Sequence, residues 1–444
     1  MAIYKTIEEK INGLEPGSTV YVTGQIMAKR KHGTCSFLDL VDASGHIQIV
    51  VDSSLPGYEE LIKLNRGSFV QINGTLQSGR KALEILADNA EIISPALVTL
   101  EPSPWRIDGM DTRYQEAVIG TPSFYHSNPQ RMAALRVYTT LRQAFHRYFQ
   151  TNGYLEVVPP VMTASTIYGR DLAVKAEVNG ENIFLTQCST FELEPLAMAH
   201  GNVYTIAPAF RNESAGTKRH LNEYYHLKAE SLLATLDDLM ALAGDAIYCT
   251  VSDMAGLCQK ELDLLHAKID LVSLNPQNFE RLTYKEARDV VNGLGSDLPF
   301  GKDLSISDEH KLIDHLGGNK YVWIIHKPAE SEGFPYRLHP DDPTLTLTGD
   351  LIAPHKAGEM VGIAEKIYNA EELVDRIRAK GFDPNDYLEY IHLRNLGMPP
   401  HGGLGAAPER IAYGLMDLPH INCVMPYPRY PGRRIRGNFQ APNT

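Results

Sequence analysis

Residues 210–230 read FRNESAGTKRHLNEYYHLKAE, mixing cations, acids and aromatic rings in one short run. On a strand, residues two apart share a face, so Arg211 and Glu213 project together. Lys218, Arg219 and His220 occupy a glycine-containing turn and could converge on a polyphosphate. Tyr224, on the returning strand, offers a flat ring. Guanidinium groups bind phosphate as forked donors, and aromatic faces stack on bases. Taken alone, the stretch reads more simply as an exposed hairpin laced with salt bridges.

A second stretch shifts that balance. HGGLGAAPERIAYGLMDLPHINCVMPYPRYPGR at 401–433 opens with small residues, which let backbone approach a ligand closely. Glu409 and Arg410 then stand at the head of an apolar helix. From there Arg410 could lie against a purine on the side opposite Tyr224, through cation–π and stacking contact. A helix N-terminus where Glu409 favours the dipole and Arg410 pairs with it fits the same residues.

These stretches need elements to hold them. Residues 1–100 alternate apolar and polar in five short runs (VYVTGQI, CSFLDLV, IQIVVD, FVQING, ALEILAD) punctuated by glycine turns, which predicts a small barrel of the OB type. A proline-rich and polar connector occupies 101–130. From 131 the period changes: Leu135, Tyr138, Leu141, Phe145 and Phe149 recur three or four apart, an amphipathic helix stopped by Asn152-Gly153. YLEVVPPVM follows as a strand. Further strands (NIFLTQ, VYTIAPAF, YYHLKAE, YVWIIH, LTLTGDLIA) mix with helices near 235–268 and 370–380 without βαβ regularity. That pattern predicts an α+β domain on an antiparallel sheet, spanning 131–444.

The bulk composition suits a soluble globular chain. It has 444 residues, 43% hydrophobic and 22% charged, with a mean hydropathy of −0.23. No run approaches the ~20 apolar residues of a membrane span, and MAIYKTIEEK is not a signal peptide. Cysteines 35, 188, 249, 258 and 423 are scattered and never form CxxC, so a reducing cytoplasm is expected rather than disulfides or zinc. A net charge of −12 opposes indiscriminate phosphate-backbone binding but leaves room for local basic patches at 29–32 and 429–436.

The motifs together resemble class II aminoacyl-tRNA synthetases of the subgroup that contains the aspartate, asparagine and lysine enzymes. FRNE…RHLNEY resembles that family's motif 2, GLGAAPERI…PYPR its motif 3, and the helix ending in YLEVVPP its motif 1, with Pro160 as its proline. DLIAPHKAGEMVG resembles the acidic segment that holds magnesium on ATP. The resemblance implies an N-terminal OB barrel and a class II catalytic domain, an antiparallel sheet flanked by helices. It implies that Arg211 clamps the α-phosphate, Glu213 accepts from the adenine amino group, and Arg219 and His220 hold the outer phosphates. Tyr224 and Arg410 would sandwich the ring, and Glu359, with Asp350, would ligate Mg²⁺. The front domain is most similar to the anticodon-binding barrel of lysine enzymes. Phe37 would stack on an anticodon base while Gln48 and Glu84 hydrogen-bond to others; Gln25 stands where the family usually has tryptophan. A homodimer built on motif 1 is also implied.

The amino-acid side departs from the pattern. Where the family's SxAEG or SxTEG places a glutamate against the substrate ammonium, this chain has Tyr168. QSPQ becomes Gln187, Cys188, Ser189 and Thr190, Leu193 replaces the lysine of aspartate enzymes, and Lys366 replaces an arginine. Ala407 replaces a motif 3 glycine, and Asn422-Cys423 an Arg-Asp or Arg-Glu pair. Losing a lysine and trading a forked arginine for lysine disfavours free aspartate, while Lys366 can still donate to an amide carbonyl. Three readings follow: a tRNA ligase for asparagine or an acid like it; a paralogue that passes the adenylated acid to ammonia or another amine; and a non-catalytic RNA-binding relic, disfavoured by the retained ATP residues.

Overall fold

In the computed structural model, which describes residues 4–80, 82–99, 128–212, 218–354 and 357–431, the alternation of the first hundred residues closes into a barrel. Its strands are β1 (Thr19–His32), β2 (Cys35–Asp42), β3 (Gly45–Asp52), β4 (Phe69–Ser78) and β5 (Leu83–Ser94), neighbours in the order β1-β2-β3-β5-β4. Period two sends Val22, Leu38, Leu40, Ile49, Ile72 and Ile85 inward, where all are fully buried. A short helix, Tyr58–Lys63, lies between β3 and β4 and adds Tyr58 and Leu61 to this core. Tyr58 keeps its hydroxyl satisfied on Ser36 Oγ at 2.8 Å. Closure leaves no strand edge for unwanted pairing.

A second compact unit begins at Ala133. Its sheet comprises β6 (Leu155–Glu156), β10 (Asn202–Phe210), β11 (Glu223–Leu232), β12 (Glu280–Thr283), β13 (Val322–Ile325), β14 (Thr348–Ala353), β15 (Gly358–Lys366) and β16 (His401–Ala406). The spatial order is β12-β13-β14-β15-β16-β11-β10-β6, antiparallel except for the outermost pair at each end. A small sheet of β7 (Met162–Thr163), β8 (Val174–Val178) and β9 (Glu181–Leu185) stands apart from it. The expected strand YLEVVPP shrinks to two residues, because Pro159 and Pro160 have no N–H to continue a ladder.

The amphipathic helix runs Pro129–Thr151 and buries Tyr138, Leu141, Phe145 and Phe149, with Val137 rather than Leu135 completing the face. Phe149 stacks on Tyr204 of β10 with ring centroids 5.0 Å apart, so the helix packs within its own chain. Helix Leu236–Leu257 covers β15 and β16. It starts at a capping box in which Thr235 and Asp238 satisfy each other's backbone N–H, as do Thr283 with Glu286 and Ser305 with Asp308 at two later helices. All five cysteines are free, and no helix among the described residues is long and apolar enough to cross a membrane.

Candidate active site

β11, β15 and β16 form the floor of a cleft of ≈ 260 Å³. Tyr224, His226, Lys228 and Glu230 share one face of β11, two residues apart. Gly405 pairs with Lys228, and Gly403 with Glu230. A Cβ on Gly403 would fall 2.4 Å from Glu230 Oε2, and one on Gly405 2.9 Å from His226 Nε2. Gly403 and Gly405 therefore answer to the β11 side chains that lie over them, whereas a Cβ on Gly402 would meet the Ala364 carbonyl and Leu239 at 2.8 Å.

One end gathers the residues expected to hold a nucleotide. Arg211 follows β10, its backbone tied to Asn222 by two bonds of 2.9 Å. Its guanidinium lies 4.9 Å from the Tyr168 ring centroid and 5.8 Å from that of Tyr224. Arg219 pairs with Glu309 at 2.8 Å, and His220 lines the same cleft. Gly358, at φ +62, makes that pair possible, since a Cβ would strike Arg219 Nη1 at 1.8 Å. Arg410 donates to the Glu359 carbonyl at 3.1 Å and to its carboxylate at 3.3 Å. Burial works against ionised Glu359, but Arg410, Lys327, Arg211 and Arg219 outweigh it and hold the carboxyl below its ordinary value. Glu213 lies outside the described residues.

Asp350 and Glu359 converge over Gly362. A Cβ there would sit 3.3 Å from Asp350 Oδ1 and 3.7 Å from Glu359 Oε1. Asp350 also takes an ion pair from Lys327, which holds Glu332 at 2.9 Å and Asp303 at 3.0 Å. Burial alone would discharge Lys327; these carboxylates raise it well above its ordinary value. Among the described residues no three His, Cys, Asp or Glu side chains group to hold an ion. Asp350 and Glu359 are the pair whose oxygens fit a hard cation.

The other end is built from charges closed on one another. Lys366 donates to Glu230 at 2.7 Å and to Glu194 at 3.1 Å. Glu194, wholly buried, also accepts from Arg394 at 2.6 Å and from the Tyr390 hydroxyl at 2.7 Å, with His401 Nε2 at 3.3 Å. Burial opposes its charge, yet Arg394, Lys366 and His401 hold it well below the usual glutamate range. Beside this cluster, burial disfavours charge on Lys228, but Cys188, Glu230 and Glu194 raise it overall.

Of the residues expected to line the acyl pocket, Tyr168 and Lys366 do so. The other three stand elsewhere. Gln187 spends its amide on the backbone of 167–169, accepting from the Ile167 and Tyr168 N–H groups at 3.2 and 3.1 Å and donating to the Gly169 carbonyl at 3.2 Å. Thr190 contacts Cys188 Sγ at 3.0 Å, and Leu193 packs into a core cluster with Ala197 and Val203. The neighbour of Leu193, Glu194, carries the charge there instead.

On the barrel, Phe37, Gln48 and Glu84 occupy one outer face. Gln48 faces Asp39 across the β2–β3 pair and Glu84 across the parallel β3–β5 pair. Gln48 donates to Glu84 at 2.6 Å and accepts from Arg30 at 3.1 Å. Phe37 is half-buried between buried Ser36 and Leu38 and pairs with Arg30, leaving a ring and a guanidinium side by side.

Residues 118–431 match the family of tRNA synthetases class II (D, K and N), and residues 11–93 match the OB-fold nucleic acid binding domain. The chain belongs to the class II tRNA synthetases. It is 29% identical over 419 residues to the asparagine–tRNA ligase of Thermoplasma acidophilum, covering 93% of this chain and 95% of that one. The fold is similar to that of the Pyrococcus horikoshii asparaginyl-tRNA synthetase complexed with asparaginyl-adenylate (TM-score 0.90, 26% identity, 98% of this chain and 100% of that one). It is likewise similar to the Entamoeba histolytica enzyme in complex with asparaginyl-adenylate (TM-score 0.83, 26% identity, 95% and 97% covered).

In this synthetase Glu409 ties three elements together. It is wholly buried and accepts from the Tyr138 hydroxyl at 2.6 Å and from the Tyr225 N–H at 3.0 Å, joining the long helix, β11 and the helix that carries Arg410. Sequence reasoning passed over Glu194, Glu230, Lys228, Lys327 and Arg394. The spacing of KAE, two apart on a strand that already bears Tyr224, was a usable signal for Lys228 and Glu230. Arg394 had none, since it reaches Glu194 across 200 residues.

Proposed function

We propose that the protein uses ATP to adenylate a carboxylic acid with a side-chain amide, asparagine or an acid like it, and passes the acyl group to tRNA. The observation that carries the choice of acid is Glu230 Oε2. It is buried, has no hydrogen-bond partner among the described residues and lies over Gly403 on the cleft floor, while the other oxygen of the same carboxylate accepts from Lys366. A carboxamide satisfies both groups: its oxygen accepts from Lys366 and its NH₂ donates to Glu230. The side-chain carboxylate of aspartate would instead meet Glu230 as a like charge in a dry site. The asparagine enzymes among the relatives support the same reading.

Tyr224 and Arg410 sandwich the adenine, Glu213 takes its amino group, Arg211 clamps the α-phosphate, and Arg219 with His220 receives the outer phosphates. A carboxylate oxygen attacks the α-phosphorus, the bond to the bridging oxygen breaks, and pyrophosphate departs with the electron pair. The step asks for positioning and charge stabilisation rather than a protein nucleophile. Glu359 and Asp350 would hold Mg²⁺, which supplies charge neutralisation on the phosphates when bound. A terminal ribose hydroxyl of tRNA then attacks the acyl carbon, loses its proton and releases AMP, while Phe37, Gln48 and Glu84 meet the anticodon. The setting is cytoplasmic. A homodimer forms on the exposed apolar residues Leu155, Val158 and Met162 that follow the long helix.

ATP–pyrophosphate exchange and charging of total tRNA test this. Exchange with amide-bearing acids, background exchange with aspartate, and label on tRNA are expected. Exchange driven by aspartate, or label passed to ammonia and never to tRNA, contradicts it.

A further inference from the structure

The middle of the cleft holds a cation that the reaction above leaves idle. Lys228 stands on β11 between His226 and Glu230, in the cleft that Arg211 and Lys366 also line. It is 5% exposed and lines the cleft. Among the described residues no carboxylate lies within ion-pair distance of it, and its side-chain hydrogen bond goes to the Cys188 thiol. Burial raises the Cys188 thiol but Lys228 lowers it overall, and one such acceptor leaves an ammonium with further N–H donors to place. Gly405 keeps the space beside it clear, since a Cβ there would stand 3.4 Å from Nζ.

The same part of the cleft lacks an acid. Where the resemblance puts a glutamate for the substrate ammonium, Tyr168 lies under Arg211 and hydrogen-bonds to Tyr336. Of the carboxylates nearby, Glu194 is committed to Lys366, Arg394 and His401, Glu332 to Lys327, and Glu230 to Lys366 and the amide end, while burial pushes Glu192 up to about 7 and so works against its charge. An incoming α-ammonium would find Lys228 as a like charge and, among the described residues lining the cleft, no uncommitted carboxylate, whereas an oxygen would receive a charge-assisted hydrogen bond.

We propose that the acid activated here carries no α-ammonium and is instead the hydroxy, keto or unsubstituted counterpart of asparagine, with Lys228 donating to its oxygen. This rests on the reading of the cleft as a carboxylate-adenylating site and names the substrate class within it. Lys228 and Tyr168 are then the residues that set specificity at the α-position, as Glu230 and Lys366 set it at the amide.

The test is ATP–pyrophosphate exchange by the wild-type protein with L-asparagine, succinamate and 2-hydroxysuccinamate. We expect kcat/KM for at least one amino-free acid to exceed that for asparagine tenfold or more, and Lys228→Gln combined with Tyr168→Glu to reverse the order. A tenfold preference of the wild type for asparagine overturns the proposal, whatever the variants do, so a variant that fails to fold leaves the decision intact. An asparagine preference with normal ATP binding overturns this proposal only. Absence of exchange with all three acids, together with no heat of ATP binding, overturns the adenylation reading and this one with it.

Discussion

The two ends of the cleft manage charge in opposite ways. At the nucleotide end two guanidiniums each lie against an acid: Arg410 pairs with Glu359, with a side chain 17% exposed, and Arg219 pairs with Glu309. At the acyl end Glu194, Lys366, Glu230, Arg394 and His401 are sealed from water and answer one another. A buried charge that loses its partner is far more costly than an exposed one. The first arrangement is poised to trade a protein contact for a phosphate. The second holds a shape, and the groups it turns to a ligand are the Glu230 oxygen, Lys366 and the Lys228 ammonium.

The largest effect that sharpens this contrast belongs to Glu194. Glu194→Leu leaves Lys366 short of an acceptor and Arg394 uncompensated, and is expected to cost about 3–5 kcal/mol of stability in urea unfolding. A loss below about 1 kcal/mol would break the distinction. Arg410→Ala should do the reverse. Exchange falls by about 10²- to 10³-fold, the range for removing one pre-aligned charge donor, while the unfolding midpoint stays close to wild type.

A subtler effect comes from His226, which lines the cleft between the two ends. Burial first, then Lys228, Arg211 and Arg410, hold its pKa well below the ordinary 6.5. The folded chain therefore refuses a proton that the unfolded chain accepts. Its contribution is fully present above pH 6.5 and is lost as pH falls below that value. Melting curves from pH 7.5 to 5 should show a decline that is flatter in His226→Gln; an identical slope would exclude His226 as a cause. Smallest of all is Arg30→Ala on the barrel. Its pair with Asp39 is largely exposed, so stability should move by less than about 1 kcal/mol, while tRNA binding weakens and loses part of its salt dependence.

What could be read from residue order follows the same divide. The barrel strands, the long helix and the convergence of Arg211, Arg219, His220, Tyr224 and Arg410 on one cleft were legible because each signal is local: period two, period 3.6, or a cation-rich turn between two strands. Even there Leu135 gave way to Val137, since periodicity places a face only to within a residue. The acyl end was read poorly. Gln187, Thr190 and Leu193 look like pocket residues from their place in a motif, but backbone bonding and core packing claim them. Glu194 and Arg394 act through a contact spanning 200 residues, which no local pattern encodes.

Tyr224 and Arg410, from two distant segments, are proposed to close on a single adenine nucleotide. Calorimetric titration of ATP with magnesium into the wild type and Arg410→Ala tests it most directly. The account predicts saturable uptake of one ATP per chain by the wild type and its loss in the variant. Unchanged uptake in Arg410→Ala, or none in the wild type, would contradict it.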